Sequence, residues 1–419
     1  MRDLARGLFA LVLLAAAPSA QAAAWYVDAV NGSDGNSGSL SAPFKTFVPL
    51  NRVLQPGDVA TILPGTYTTP LSITRSGTRE NPITITGLNK PGQRPKIVVT
   101  GHFAVHFGAN VGWINLKYLD VRSTDKNGIW TAVGAHHLVI ANNVVHDCGA
   151  SGIGSSGADY LTIRDNTIFR NGFTGPEQGS GINVLWMKNY DNVAGVHNVI
   201  RNNVIYGNAN KVFKTGMTVT QNGNGIKIDD FRHLNNTSMG PAYTGVTLIE
   251  NNLIFDNGGR GIQTFQSDHV VIRANTLYGN NWDTKTGATH AGEIHVYKSG
   301  SVTVRNNILY GLSGTTGTHP AFSAEYSSGG PVIADYNLYF GVKPTSASTA
   351  ASSWGTRNRL GDPQFAYRTA DPLLADYRVR SGSPALALGT STDTPRVDIL
   401  GDTRPLTAIT AGAYQLPAP

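Results

Sequence analysis

Apolar residues in this chain fall in short alternating runs that end on asparagine, not in long amphipathic stretches. The runs read Leu138-Val-Ile-Ala-Asn-Asn143, Leu161-Thr-Ile-Arg-Asp-Asn166, Val199-Ile-Arg-Asn-Asn203, Leu248-Ile-Glu-Asn-Asn252, Val271-Ile-Arg-Ala-Asn275 and Val302-Thr-Val-Arg-Asn-Asn307. Alternation of this kind marks a strand with one buried face. A second strand signal, Gly-Ile, recurs at Gly128-Ile129, Gly152-Ile153, Gly181-Ile182, Gly225-Ile226 and Gly261-Ile262, with Glu293-Ile294 as a variant.

Asn143 to Asn166 and Asn252 to Asn275 are both steps of 23 residues. A unit of that size, made of short strands with asparagine at a corner, describes one coil of a parallel β-helix, a solenoid whose coils stack into one core. Asparagine suits the corner because its amide bonds turn backbone and it tolerates the left-handed conformation. Propeller blades need about 40 residues and a Trp-Asp signature, and leucine-rich repeats need Leu at fixed offsets; neither pattern is present. The expected fold class is all-β.

Longer steps separate Asn166 from Asn203 (37 residues) and Asn203 from Asn252 (49 residues). These coils carry insertions at 172–180, 187–198, 207–224, 231–245 and 279–292. Insertions in repeat proteins cluster on one face, commonly the binding face. Four of the five adjoin the Gly-Ile strands, so they are expected to wall a groove over those strands.

Within each Gly-Ile strand, Ile faces the core and the next residue faces out. That outward position reads Trp130, Gly154, Asn183, Lys227, Gln263 and His295 along successive coils; two residues on, the series is Ala132, Ser156, Leu185, Asp229, Phe265 and Tyr297. Coils stack about 4.8 Å apart, so Asn183, Lys227, Gln263 and His295 should form one ridge with Asp229, Phe265 and Tyr297 beside it. A lone outward lysine is usually only solvated. Lys227 instead sits mid-ladder between the longest insertions, among acids and aromatics, a setting that suits chemistry.

Composition narrows the class. Among 419 residues there are 48 Gly, one Cys and 14% charged residues. One cysteine rules out an internal disulfide framework or a multi-cysteine metal site, and buried Cys148 should behave as a small apolar residue. Residues 1–22 read as a secretory leader: Arg2 and Arg6, the apolar run Leu8 to Ala17, then Ala20-Gln-Ala22. The expected organisation is this leader, a β-helix with an N-terminal cap over 23–340, and a linker with an irregular segment that closes the solenoid over 341–419. Cleavage near Ala22 would make the protein secreted or periplasmic. The net charge of +6 on an exported chain fits an anionic partner. Without a Lys/Arg-rich run or a further membrane-length apolar run, neither nucleic acid nor membrane is expected. A polysaccharide, acted on by a monomer, fits best.

Several stretches resemble right-handed parallel β-helix polysaccharide lyases, most of all the family-nine pectate-lyase-like group. Trp25-Tyr-Val-Asp28, Asn31-Gly-Ser-Asp34, Pro43-Phe-Lys-Thr46, Pro56-Gly-Asp58 and Leu63-Pro-Gly-Thr-Tyr67 are similar to the N-terminal coil of that superfamily, and Asp376-Tyr-Arg-Val to its C-terminal closure. Gly223-Asn-Gly-Ile-Lys227 resembles the strand that carries the family's lysine base. The resemblance implies that Lys227 abstracts the proton beside a uronate carboxylate. It also implies Ca2+ held by a D-D-G-x-D cluster on the preceding coil, yet the matching Gly179-Ser-Gly-Ile-Asn183 has no acid. No protein metal ligands are therefore assigned, and the substrate carboxylate would need Arg260, Lys188, Lys211 or Lys214 as counter-ion.

The function expected is β-eliminative cleavage of an acidic polysaccharide. Lys227 would be the base, Asp229 would orient it, Arg260 would meet the carboxylate, and His295 and Tyr297 would be candidates to return the proton. Asn183, Asn224, Gln263, Lys188 and Glu293 would bind sugar, with Phe265, Tyr297 and Trp282 available for stacking. One alternative is a glycoside hydrolase using Asp229 and Glu293; another is a non-catalytic surface polysaccharide-binding or adhesin β-helix.

Overall fold

The computed structural model describes residues 22–416 apart from 91, 178, 214–215, 217–221, 284–291, 313–319, 342–344, 348–351, 370 and 372–373. The leader expected over 1–22, save its last residue, thus lies outside the described residues. From Val59–Ile62 to Arg359–Leu360 the strands rotate in turn among three long parallel sheets. The first runs from Ala24–Val27 to Ser352–Trp354, the second from Thr66–Tyr67 to Arg359–Leu360, and the third from Leu71–Ile73 to Thr345–Ala347. Each strand pairs with its counterparts one coil before and one coil after. This is the expected right-handed parallel β-helix.

The core follows from the alternation. Ile153, Ile182, Ile226, Ile262 and Ile294 stack on one another, all with no exposed surface. At the corner between the first and second sheets, asparagines form a continuous ladder. The Nδ2 of Asn203, Asn252 and Asn275 each donates to the Oδ1 of the next rung's asparagine at 3.0 Å, and the backbone N–H groups donate to the same oxygens. The preceding residue takes the left-handed turn, as at Asn202 (φ 55) and Asn251 (φ 53). The Asn-Asn pairs therefore divide two tasks: one residue bends and one bonds. A second ladder of Asn171, Asn208, Asn257 and Asn280 lines the corner between the second and third sheets. Cys148 takes the rung before Asn171, whose Oδ1 accepts its backbone N–H; burial pushes its thiol up to about 12.

The N-terminal coil is stapled by carboxylates. Asp58 accepts from Trp25 Nε1 and the backbone of Ala23 and Gln55, while Asp34 binds Thr46 and the Lys45 backbone. Phe47, Leu50 and Leu54 around the short helix Leu50–Val53 bury against that end.

The described C-terminal segment differs from the expected end cap. Its antiparallel pair, Phe365–Tyr367 with Asp376–Val379, lies along the outer flank of the second sheet, where Phe365, Tyr377 and Val379 cover Leu253, Phe255, Ile308 and Tyr310. The reason is local. Strands such as Leu253–Phe255 are apolar on both faces, so their outward residues need a cover of their own.

Candidate active site

All five insertions fall in the two series of turns that border the third sheet, on either side of its outward face. The wall formed by 187–198 and 231–245 is tied to the body through Asp159, 1% exposed, whose carboxylate accepts from the Tyr190 backbone (2.8 Å), Tyr243 Oη (2.6 Å) and His197 Nδ1 (3.1 Å). A parallel aromatic stack of Trp113, His137, Tyr160 and His197 runs beside it. Burial and its neighbour His136 hold His137 down at about 4. Alternation alone does not reveal this anchor, because its stacked residues 113, 137 and 160 sit at left-handed breaks in their strands.

On the floor between the walls, Trp130, Gly154, Asn183, Lys227, Gln263, His295 and Ser323 are successive register partners. Ser156, Leu185, Asp229, Phe265, Tyr297 and Glu325 form the neighbouring column. Lys227 and Asp229 share a strand and meet at 2.8 Å between Nζ and Oδ2, with side chains 12% and 19% exposed. The Phe265 ring lies 5.4 Å below Nζ and stacks on Tyr297. Lys227 is thus recessed and held, not a waving surface lysine.

The C-terminal half of the floor is a buried polar chain. Asn224 Nδ2 donates to Gln263 Oε1 (3.2 Å), Gln263 Nε2 approaches His295 Nδ1 (3.5 Å), and His295 Nε2 lies 3.5 Å from Glu325 Oε1. Glu325 was not a sequence candidate, because its strand Phe322–Glu325 lacks the Gly-Ile signature; the alternation of that strand was the available signal. Arg260 is buried, and burial lowers its guanidinium to about 10 while the Glu325 charge acts the other way.

Four expectations are revised. Glu293 does not face the groove. It stands where earlier coils have the glycine that makes room for a ladder asparagine: a Cβ at Gly225 or Gly261 would lie 3.2 or 3.0 Å from the Nδ2 of Asn257 or Asn280. In the next coil Leu312 replaces the ladder asparagine, and Glu293 accepts the Asn280 backbone N–H (2.9 Å) and its Nδ2 instead. It is 1% exposed and pushed up to about 8 by burial. Glu293 closes a structural ladder, and the Asp229–Glu293 hydrolase pair does not exist in this arrangement.

Asn224, fully buried, accepts the Arg260 N–H (2.8 Å) and braces Gln263, so it does not offer itself to sugar. Arg260 already faces Glu325, which weakens its claim on a substrate carboxylate. Trp282 sits at the corner beyond the second sheet, its Nε1 donating to the Asp256 carbonyl and its ring under Lys211 Nζ at 4.3 Å. Lys188 is exposed on the opposite wall, and Lys214 lies outside the described residues.

Among the described residues no group of three His, Cys, Asp or Glu is placed to hold a metal. Beside Lys227 the preceding rung offers only Asn183, and Asp229 is engaged by the lysine. Calcium wants about six to eight oxygens, several of them from carboxylates, so the residues present do not fit a calcium site of the lyase type. Among the described residues no helix is long and apolar enough to cross a membrane.

Residues 190–329 match the right-handed β-helix region family. No curated protein sequence matches the chain. Among solved structures, the chain is similar to pectate lyase Pel9A, at 18% identity and a TM-score of 0.52 over 94% of this chain and 96% of that one. It is similar to XylC in complex with xylose at 12% identity and a TM-score of 0.55, over 94% and 98% of the two chains. A glycoside hydrolase gives 9% identity and a TM-score of 0.56, over 81% and 97%. At such identities the likeness is one of fold.

Proposed function

We propose that this protein cleaves an acidic polysaccharide by β-elimination, in the manner of the family-nine-like lyases, with Lys227 as the base. The observation that carries the reading is the recessed Lys227–Asp229 pair at the centre of a walled ladder. Lys227 Nζ takes the proton on the carbon beside a uronate carboxylate. The electron pair left behind forms a carbon–carbon double bond, the glycosidic C–O bond breaks, and the leaving oxygen gains a proton. Asp229 positions Nζ. Tyr297, half-buried beside Phe265, is the better candidate for the returning proton, since His295 is already held between Gln263 and Glu325. Lys188, Lys211 and Lys214 are the candidates to meet the carboxylate.

Carboxylate spacing favours elimination over hydrolysis. Asp229 and Glu325 are three rungs apart in one column, about 14 Å at the usual strand spacing, and glycosidase pairs lie within about 5–9.5 Å. We place the mature chain, without its leader, in the periplasm or outside the cell, acting as a monomer.

The test is incubation with polygalacturonate and alginate, following the ultraviolet absorbance of the unsaturated product. Polygalacturonate comes first because Pel9A, similar in fold, is a pectate lyase. New reducing ends without absorbance would mean hydrolysis, and neither signal with retained binding would mean a binding protein. Full activity in Lys227→Ala would remove the base.

A further inference from the structure

The ladder continues beyond Asn183, and what it presents there is aromatic. Trp130 pairs with Gly154, Gly154 with Asn183, and Asn183 with Lys227. Gly154 leaves a gap in the column, and the indole leans into it: a Cβ at Gly154 would lie 2.7 Å from Trp130 Cε3. Phe103 supports the ring from the other side, with centroids 5.4 Å apart and planes 16° from parallel. Trp130 is only partly buried. Across the gap, Asn183 Oδ1 is a buried acceptor with no partner.

A large ring backed by a second ring, in register with Lys227 and facing an unpaired amide oxygen, has the chemistry of a sugar subsite. The C–H face of a pyranose is apolar and packs on an aromatic face, while its hydroxyls need donors and acceptors at the rim. From the gap to the Lys227 rung is two steps, about 10 Å, and each rung matches roughly the rise of one sugar along an extended polymer. We infer that Trp130, backed by Phe103, stacks a pyranose of the acidic polymer two rungs N-terminal to Lys227, with Asn183 Oδ1 accepting one of its hydroxyls. The polymer therefore runs along the solenoid axis. Gly154 is required at its position because any side chain would displace the indole.

This inference rests on the polysaccharide reading above, and the test separates the two. Binding of polygalacturonate and alginate to the Lys227→Met protein is measured by titration calorimetry and by tryptophan fluorescence, with Trp130→Ala and Trp130→Phe added to that background. Trp130→Ala should weaken binding about tenfold and remove part of the fluorescence change, while Trp130→Phe should retain most of the affinity. Unchanged affinity in Trp130→Ala, or binding of neither polymer, overturns the subsite. Wild-type turnover in Lys227→Met overturns the catalytic assignment and leaves the subsite standing.

Discussion

Replacing Glu293 with glutamine should flatten the pH dependence of stability. In the folded chain this carboxyl is raised from 4.5 to about 8, with burial the largest cause, opposed by hydrogen bonds from Asn280 and Gly279. Below pH 4.5 folded and unfolded chains both hold the proton, and the group has no effect on the balance. Between 4.5 and 8 the unfolded chain releases the proton and the folded chain keeps it, so stability falls as pH rises, by about 1.4 kcal/mol per unit. Above 8 both states are ionised and the loss levels off at roughly 5 kcal/mol. Glutamine keeps an acceptor for the Asn280 N–H and never ionises. Denaturant midpoints at pH 5 and pH 8 should then diverge for the wild type relative to Glu293→Gln, by about 4 kcal/mol. Parallel pH curves for the two proteins would refute the assignment of Glu293 as a neutral ladder-closing group. So would a wild type that gains stability relative to the variant as pH rises.

The same ladder predicts a compensation: Glu293→Gly alone should lower the melting temperature, and adding Leu312→Asn should recover most of the loss by restoring the asparagine of the regular coils. Lys227→Ala should reduce elimination by about a hundred- to ten-thousandfold, and Asp229→Asn should lower kcat more than it raises KM, both read from initial rates of product absorbance. Dialysis against EDTA should leave turnover within about twofold, because the ladder around Lys227 lacks the carboxylate set that calcium needs; complete loss would reveal a metal site elsewhere. Asp159→Ala should release the 187–198 and 231–245 wall from the body, since it removes the acceptor for Tyr190, Tyr243 and His197, and limited proteolysis should show new cuts there.

Ladder positions were readable from the sequence because a β-helix turns a repeat directly into coordinates. Once Ile226 is known to face in, Lys227 must face out, and Asn183 and Gln263 must flank it one rung away. Burial was not readable in this way. Gln263 occupies a position that alternation assigns to an open groove, yet it is closed within a hydrogen-bonded chain. Glu293 misled for a related reason: it interrupts a glycine column, and only the missing asparagine at Leu312 explains why a carboxylate belongs there.

The sequence by itself determined the architecture, the register of the outward columns, the corner asparagines and the meeting of Lys227 with Asp229, because these follow from strand periodicity and the spacing of repeats. The tertiary structure alone decided which of the outward polar residues remain open, how the insertion loops are pinned through Asp159, that the C-terminal segment covers the flank of the second sheet, and that Trp130 bends into the space left by Gly154. Those depend on where insertions of unequal length settle and on contacts between coils far apart in sequence. A periodic pattern constrains the rungs, but it carries no information about what folds over them.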